Sequence, residues 1–99
     1  MTNILAGSER ESQMGALDGW TDLPDRDAIQ KSYKFRDFKQ AFHFMEQVAE
    51  IAEEMDHHPE WFNVYNRIDV VLSSHDVGGV TMRDIRLAKA MDGFAKEGS

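Results

Sequence analysis

Between Phe38 and Met55 apolar side chains recur every three or four residues: Phe38, Ala41, Phe42, Met45, Val48, Ala49, Ala52 and Met55. That period is one face of an α-helix, and a face this apolar must find a surface to bury against. Asp37 with Gln40 makes a capping pair at its start. Pro59 sets its end: it disfavours helical backbone at His58 and has no N–H to donate, so the helix stops at Asp56–His58.

The flanking segments carry the other period. Ala28, Gln30, Ser32 and Lys34 alternate with Ile29, Lys31, Tyr33 and Phe35, which reads as a strand. Across the turn-rich Pro24-Asp25-Arg26-Asp27, Trp20 to Leu23 reads as its short hairpin partner. After Pro59, one strand is predicted around Trp61, Phe62, Val64 and Tyr65. A second follows polar Asn66-Arg67, with Ile68, Val70 and Leu72 alternating against Asp69, Val71 and Ser73. Ser73 to Gly79 is a loop, and Thr81-Met82-Arg83-Asp84 is a capping box opening a helix with Ile85, Ala88, Met91 and Phe94 or Ala95 on one face. A frayed start leads into a weaker helix from Ser8 to Leu17, capped by Ser8 and broken by Gly19, with only Met14 and Leu17 as its apolar face. The order α-ββ-α-ββ-α predicts an α+β fold, a four-stranded antiparallel sheet with helices packed on one face.

Composition narrows the chemistry. Ninety-nine residues suffice for one domain, residues 1–99, and not for two. The net charge of −7 repels phosphate backbones and anionic lipid, so neither nucleic acid nor membrane is an expected partner. With no cysteine, thiolate nucleophiles, disulfides and iron–sulfur clusters are excluded. The sequence shows neither a basic, apolar leader nor a membrane-length apolar run, so the cytoplasm is the expected compartment.

That leaves histidine and carboxylate. His57 and His58 stand at the foot of the long helix and His75 in the loop after the last strand, where an antiparallel return can bring it opposite the helix end. Glu53, Glu54, Asp56 and Asp76 would make the cleft acidic. Carboxylates and the negative helix end favour imidazolium while burial opposes it, and an imidazole poised between the two forms can give or take a proton. Plainer readings stand beside this one. His57 can simply cap helix carbonyls, His43 can be a surface or boundary residue, and Glu50, Glu53 and Glu54 can be a solvated face. Trp61, Phe62 and Tyr65 read as core, with one of them lining a pocket, and Asp84 reads as the capping partner of Thr81. A three-histidine metal site is conceivable, but His-Glu-x-x-His spacing is absent, so no metal is expected. Neither a Gly-x-Ser-x-Gly elbow nor a glycine-rich phosphate loop occurs.

The run Glu53-Glu54-Met55-Asp56-His57-His58-Pro59-Glu60-Trp61-Phe62-Asn63-Val64-Tyr65-Asn66, then Ser73-Ser74-His75-Asp76 and Asp84, resembles the pterin-4a-carbinolamine dehydratase family. Asp25-Arg26-Asp27-Ala28-Ile29 and Phe35-Arg36-Asp37-Phe38 extend the likeness, which runs from Gly19-Trp20 through the last helix; residues 1–18 match loosely. The resemblance implies an α+β sandwich and a hydro-lyase that removes water from 4a-hydroxytetrahydropterin to give quinonoid dihydropterin in tetrahydropterin recycling, without cofactor. It implies His57, His58, His75 and Glu53 as catalytic residues. Asp56, His57, His58, Trp61, Ser73, Ser74, His75 and Asp76 would contact substrate, with Trp61 as an apolar wall. Ser74 stands where the family often has threonine and Asp76 where it often has glutamate, and both swaps keep the hydrogen-bonding type. A homodimer or homotetramer is expected. The alternative is an oligomerisation or interaction module using the long helix without catalysis, with Phe44 or Ile51, off the main stripe, exposed for association.

Overall fold

The two periods sort the chain into a sheet and the helices that cover it. In the computed structural model, which describes residues 3–98, the elements run α1 (Gly7–Gly15), β1 (Thr21–Asp22), β2 (Ile29–Lys34), α2 (Phe38–Met55), β3 (Glu60–Val64), β4 (Arg67–Leu72) and α3 (Met82–Gly98). Met1, Thr2 and Ser99, the ends of the expected domain, lie outside the described residues.

The strands form one antiparallel sheet in the order β1-β2-β4-β3, the expected α+β architecture. α2 carries the chain from β2 to the far edge, and the tight β3–β4 hairpin brings it back to the middle. The register sets Ile29 opposite Leu72, Tyr33 opposite Ile68 and Trp61 opposite Val70. Side chains directly opposite share a face, and this is the face the helices cover. Ile29, Ile68 and Leu72 are fully buried there, joined by Val48 of α2 and Ile85, Leu87 and Met91 of α3. Each such side chain contributes about 1.5–3 kcal/mol by leaving water. On the other face Gln30, Ser32, Phe62 and Val64 are exposed.

The buried stripe of α2 keeps Ala41, Val48 and Ala52 of the one the period suggested, with Met45 and Met55 partly buried beside them, but swaps its phenylalanines. Ala41, Phe44, Val48 and Ala52 face the core, while Phe38 and Phe42 are about half exposed, at 48% and 49%, and lean on each other with ring centroids 5.8 Å apart. Ala49 is also exposed. Phe44, expected to be exposed, packs 4.9 Å from the Tyr33 ring and 5.0 Å from Phe35, and Ile51 is partly buried against the core. Phe44 extends the Ala41–Val48–Ala52 stripe at the same three- and four-residue spacing, and the sheet beneath buries that edge of the helix rather than the Phe38–Phe42–Ala49 edge. Phe62 and Tyr65, expected in the core, are exposed as well. The register turns Phe62 to the outer face opposite Asp69, and Tyr65 occupies the hairpin turn at φ 47°.

The first helix starts differently too: its N-cap is Ala6 with no side-chain bond, so Ser8 is not the cap. Tertiary contacts hold this region. Arg10 donates to Asp22 at 2.7 Å and to Asp27 at 2.6 Å, and the Leu5 N–H donates to the Val80 carbonyl at 2.8 Å. Under the helices Asp92 of α3 accepts from Tyr33 Oη at 2.5 Å, Lys31 Nζ at 2.8 Å and Trp20 Nε1 at 3.2 Å. Burial, then the Asp92 carboxylate, pushes the Tyr33 hydroxyl well above the usual tyrosine range.

Candidate active site

α2 ends in a Schellman turn. Asp56 takes the left-handed conformation (φ 51°, ψ 44°) and donates its N–H to the Glu53 carbonyl at 3.1 Å, while His57 N–H donates to Ala52 at 3.0 Å. Aspartate tolerates this backbone better than most residues, its short side chain bonding locally. The reversal sends the two neighbouring imidazoles apart: the His57 side chain is 6% exposed and that of His58 56%. On the opposite side β4 runs into a tight loop in which the Ser74 carbonyl accepts from Val77 and Gly78 N–H, with Gly78 at φ 73°. That loop delivers His75. Asp56, His57, His58, His75, Asp76 and Arg83 then line one hollow of about 270 Å³. The three histidines gather as the hairpin return predicted.

Each imidazole presents Nε2 to a carboxylate. His57 Nε2 meets Asp84 Oδ1 at 2.5 Å, His58 Nε2 meets Glu53 Oε1 at 3.1 Å and His75 Nε2 meets Glu60 Oε2 at 2.8 Å. An ionised carboxylate only accepts, so this pattern puts the proton of each neutral ring on Nε2 and leaves Nδ1 for exchange.

The first pair sits in a buried polar cluster. Asp84 Oδ2 accepts from Thr81 N–H at 2.9 Å, the expected capping contact, and from Ser74 Oγ at 2.9 Å, while Ser74 and Thr81 hydroxyls lie 2.7 Å apart. Asp84, Ser74 and Thr81 are fully buried. Asp84 therefore caps α3 and orients His57 at once. The Thr81–Asp84 box signalled the first role, and nothing local signals the second. Sequence reasoning also passed over Arg83, which lines the hollow, donates to Asp76 Oδ1 at 2.6 Å and carries a buried Nε with no partner.

Ser73, Ser74, Trp61 and Glu53, also expected at the site, are not in the lining of the hollow. Ser73 Oγ donates to the Asp27 carbonyl at 2.9 Å, and Ser74 points into the Asp84 cluster. Trp61 is partly buried on the helix side of β3, outside the lining, and Glu53 is exposed beyond His58. The charged rim is polarised. Arg26, then His75, holds the Glu60 carboxyl down at about 2, and the Arg83 guanidinium holds Asp76 below the usual carboxylate range. Larger hollows beside Arg86 (about 520 Å³) and beside Lys89 (about 540 Å³) have no histidine in their lining.

Residues 3–94 match the sequence profile of a family described as Pterin 4 alpha carbinolamine dehydratase. The chain belongs to this family. Curated proteins named for pterin-4-alpha-carbinolamine dehydratase, a hydro-lyase, include one from Burkholderia pseudomallei (strain 1710b), 55% identical over 97% of this chain and 95% of its own length. Another, from Bradyrhizobium sp. (strain BTAi1 / ATCC BAA-1182), is 54% identical over 96% of both chains. A crystal structure from Brucella melitensis, titled as a transcriptional coactivator/pterin dehydratase, superposes with a TM-score of 0.92 at 52% identity, covering 94% of this chain and 99% of that one. A pterin dehydratase-like RuBisCO assembly factor of the alpha-carboxysome shares the fold, with a TM-score of 0.67 at 19% identity over 79% of this chain and 90% of that one. Membership of the pterin-4-alpha-carbinolamine dehydratase family agrees with the residues on which the resemblance was read. Among the described residues no helix is long and apolar enough to cross a membrane.

Proposed function

We propose that this protein dehydrates 4a-hydroxytetrahydropterin to quinonoid dihydropterin by histidine general acid–base catalysis. The observation that carries the reading is the gathering of His57, His58 and His75 around one hollow with Asp56, Asp76 and Arg83. At about 270 Å³ the hollow lies just below the usual range of small-molecule sites, roughly 300 Å³ upward, which suits a compact bicyclic ring.

The reaction breaks the C4a–O bond and leaves a C4a=N5 double bond. One protonated imidazole gives its proton to the departing hydroxyl, which leaves as water, and a second group or water takes the proton from N5. His57, His58 and His75 are the residues for these transfers, each held through Nε2 so that Nδ1 exchanges the proton. Glu53 assists as the partner of His58. Asp56 and Asp76 offer acceptors for the pyrimidine edge, the buried Ser73 and Ser74 hold the strand end that carries His75 through their bonds to Asp27 and Asp84, and Trp61 supplies apolar cover at the margin. No cofactor enters this scheme. The fitting place is tetrahydropterin recycling in the cytoplasm.

The test follows breakdown of 4a-hydroxytetrahydropterin by absorbance with and without the protein, then with His58→Ala and with chelator. Acceleration that survives chelator and drops with the substitution is expected; a rate equal to the spontaneous one would end the dehydratase reading.

A second reading, an interaction module acting through α2, draws on the exposed Phe38–Phe42 pair. The same pair supports a homodimer or homotetramer in either case.

A further inference from the structure

We propose that Arg26 and Glu60 are positioning residues for His75, acting as a fork and carboxylate that fix which imidazole nitrogen is free at the site. The inference rests on the dehydratase reading for its kinetic consequence and on geometry for the rest. Arg26, in the β1–β2 turn, donates from both terminal nitrogens to the two oxygens of Glu60, each at 2.8 Å. Glu60, the first residue of β3, gives the same Oε2 to His75 Nε2 at 2.8 Å. Three segments distant in the chain thus meet on one carboxylate. Planar two-point pairing fixes the carboxylate's orientation, which a single contact would not do.

The arrangement needs that fixing. The His75 and Glu60 side chains are 63% and 40% exposed, and an exposed pair alone holds little order. Arg26 turns Glu60 into an aimed acceptor, so the Nε2–H form of His75 is preferred and Nδ1 is left to exchange protons with substrate. The groups around His75 are Glu60, Arg26 and, beside Arg26, Asp25 from the sheet end, Asp76 from its own loop, Arg83 from α3, and Asp56, His57 and His58 from the end of α2. Of these, Glu60 is the acceptor on Nε2. Arg26, then His75, keeps Glu60 ionised down to about 2, so it remains an acceptor throughout the working range of the enzyme.

Two readouts on the intact protein test this. Imidazole 15N NMR at about pH 8.5, where an ordinary histidine is neutral, is expected to show His75 protonated on Nε2 in the parent and a mixture of tautomers in Glu60→Gln and Arg26→Ala. In the dehydration assay Glu60→Gln is expected to lower kcat about tenfold with KM within about twofold. The Arg26→Ala to parent ratio of kcat should fall between about pH 6 and 4, where an unassisted glutamate titrates, and Arg26→Lys, which keeps the charge but not the planar fork, should restore that ratio on the acid side while leaving the His75 tautomers mixed. An unchanged His75 tautomer in Glu60→Gln, or unchanged kcat with a flat ratio, overturns the proposal. If the parent itself does not dehydrate the pterin, the functional reading fails, and the NMR tautomer alone decides whether Arg26 and Glu60 set His75.

Discussion

His57 Nε2 lies 2.5 Å from Asp84 Oδ1, joining side chains 27 residues apart that are 6% and 0% exposed. The end of one helix and the start of another are thus tied through the ring that faces the candidate site. Asp84→Asn keeps the shape but turns an amide NH₂ toward at least one of three donors, the Thr81 N–H, the Ser74 hydroxyl or His57. Urea unfolding should show a loss of about 2–4 kcal/mol, and kcat should fall about 10²-fold or more as His57 loses its fixed tautomer. Parental kcat in a folded Asp84→Asn protein would remove His57 orientation from the mechanism.

His58 is the histidine whose removal separates chemistry from folding. Its ring is exposed and pairs with Glu53, itself 71% exposed, so His58→Ala should change stability by less than about 0.5 kcal/mol. Dehydration should nonetheless slow about 10²–10⁴-fold. A thermal melt beside the rate measurement checks both; a variant as active as the parent would leave only His57 and His75 as proton carriers.

The α2 faces make opposite predictions for two phenylalanines. Phe44→Ala empties a fully buried site between Tyr33 and Phe35 and should cost about 3–5 kcal/mol. Phe42→Ser removes a half-exposed ring and should leave monomer stability within about 1 kcal/mol while lowering the molar mass in sedimentation, since the apolar pair with Phe38 is lost. Unaltered sedimentation would exclude this face from self-association.

Tyr33 is expected to set an alkaline limit to stability. Its hydroxyl titrates above the ordinary value of 10.0 when folded, raised by burial and then by Asp92. The unfolded chain loses that proton first, so the stabilisation is complete below about pH 10 and declines as pH rises above it. Tyr33→Phe should lose about 1 kcal/mol at neutral pH with the Asp92 hydrogen bond, yet fall less steeply than the parent above about pH 10. Parallel curves of Tm against pH would assign the alkaline limit to another group.

Much of the architecture was legible in short-range pattern. The alternation at Ile29–Lys34 and Arg67–Leu72, the Asp37 cap and the Pro59 stop each act through neighbouring residues, and the elements they specify are those observed. The pair His57-His58 and the distant His75 were likewise readable as a constellation, because hairpin return confines where strand ends can lie.

What the linear pattern left open were choices that depend on relative orientation. The period puts Phe42 in the main apolar stripe and Phe44 off it, and the sheet beneath α2 makes Phe44 core and Phe42 surface. Asp84 reads as a cap until α2 sets His57 against it, and Glu60 carries no role of its own in the sequence until Arg26 and His75 arrive from two other segments. Local backbone preference acts over a few residues and can be read in order along the chain. Burial, aimed hydrogen bonds and proton placement depend on which segments end up side by side, and that adjacency exists only once the chain has packed.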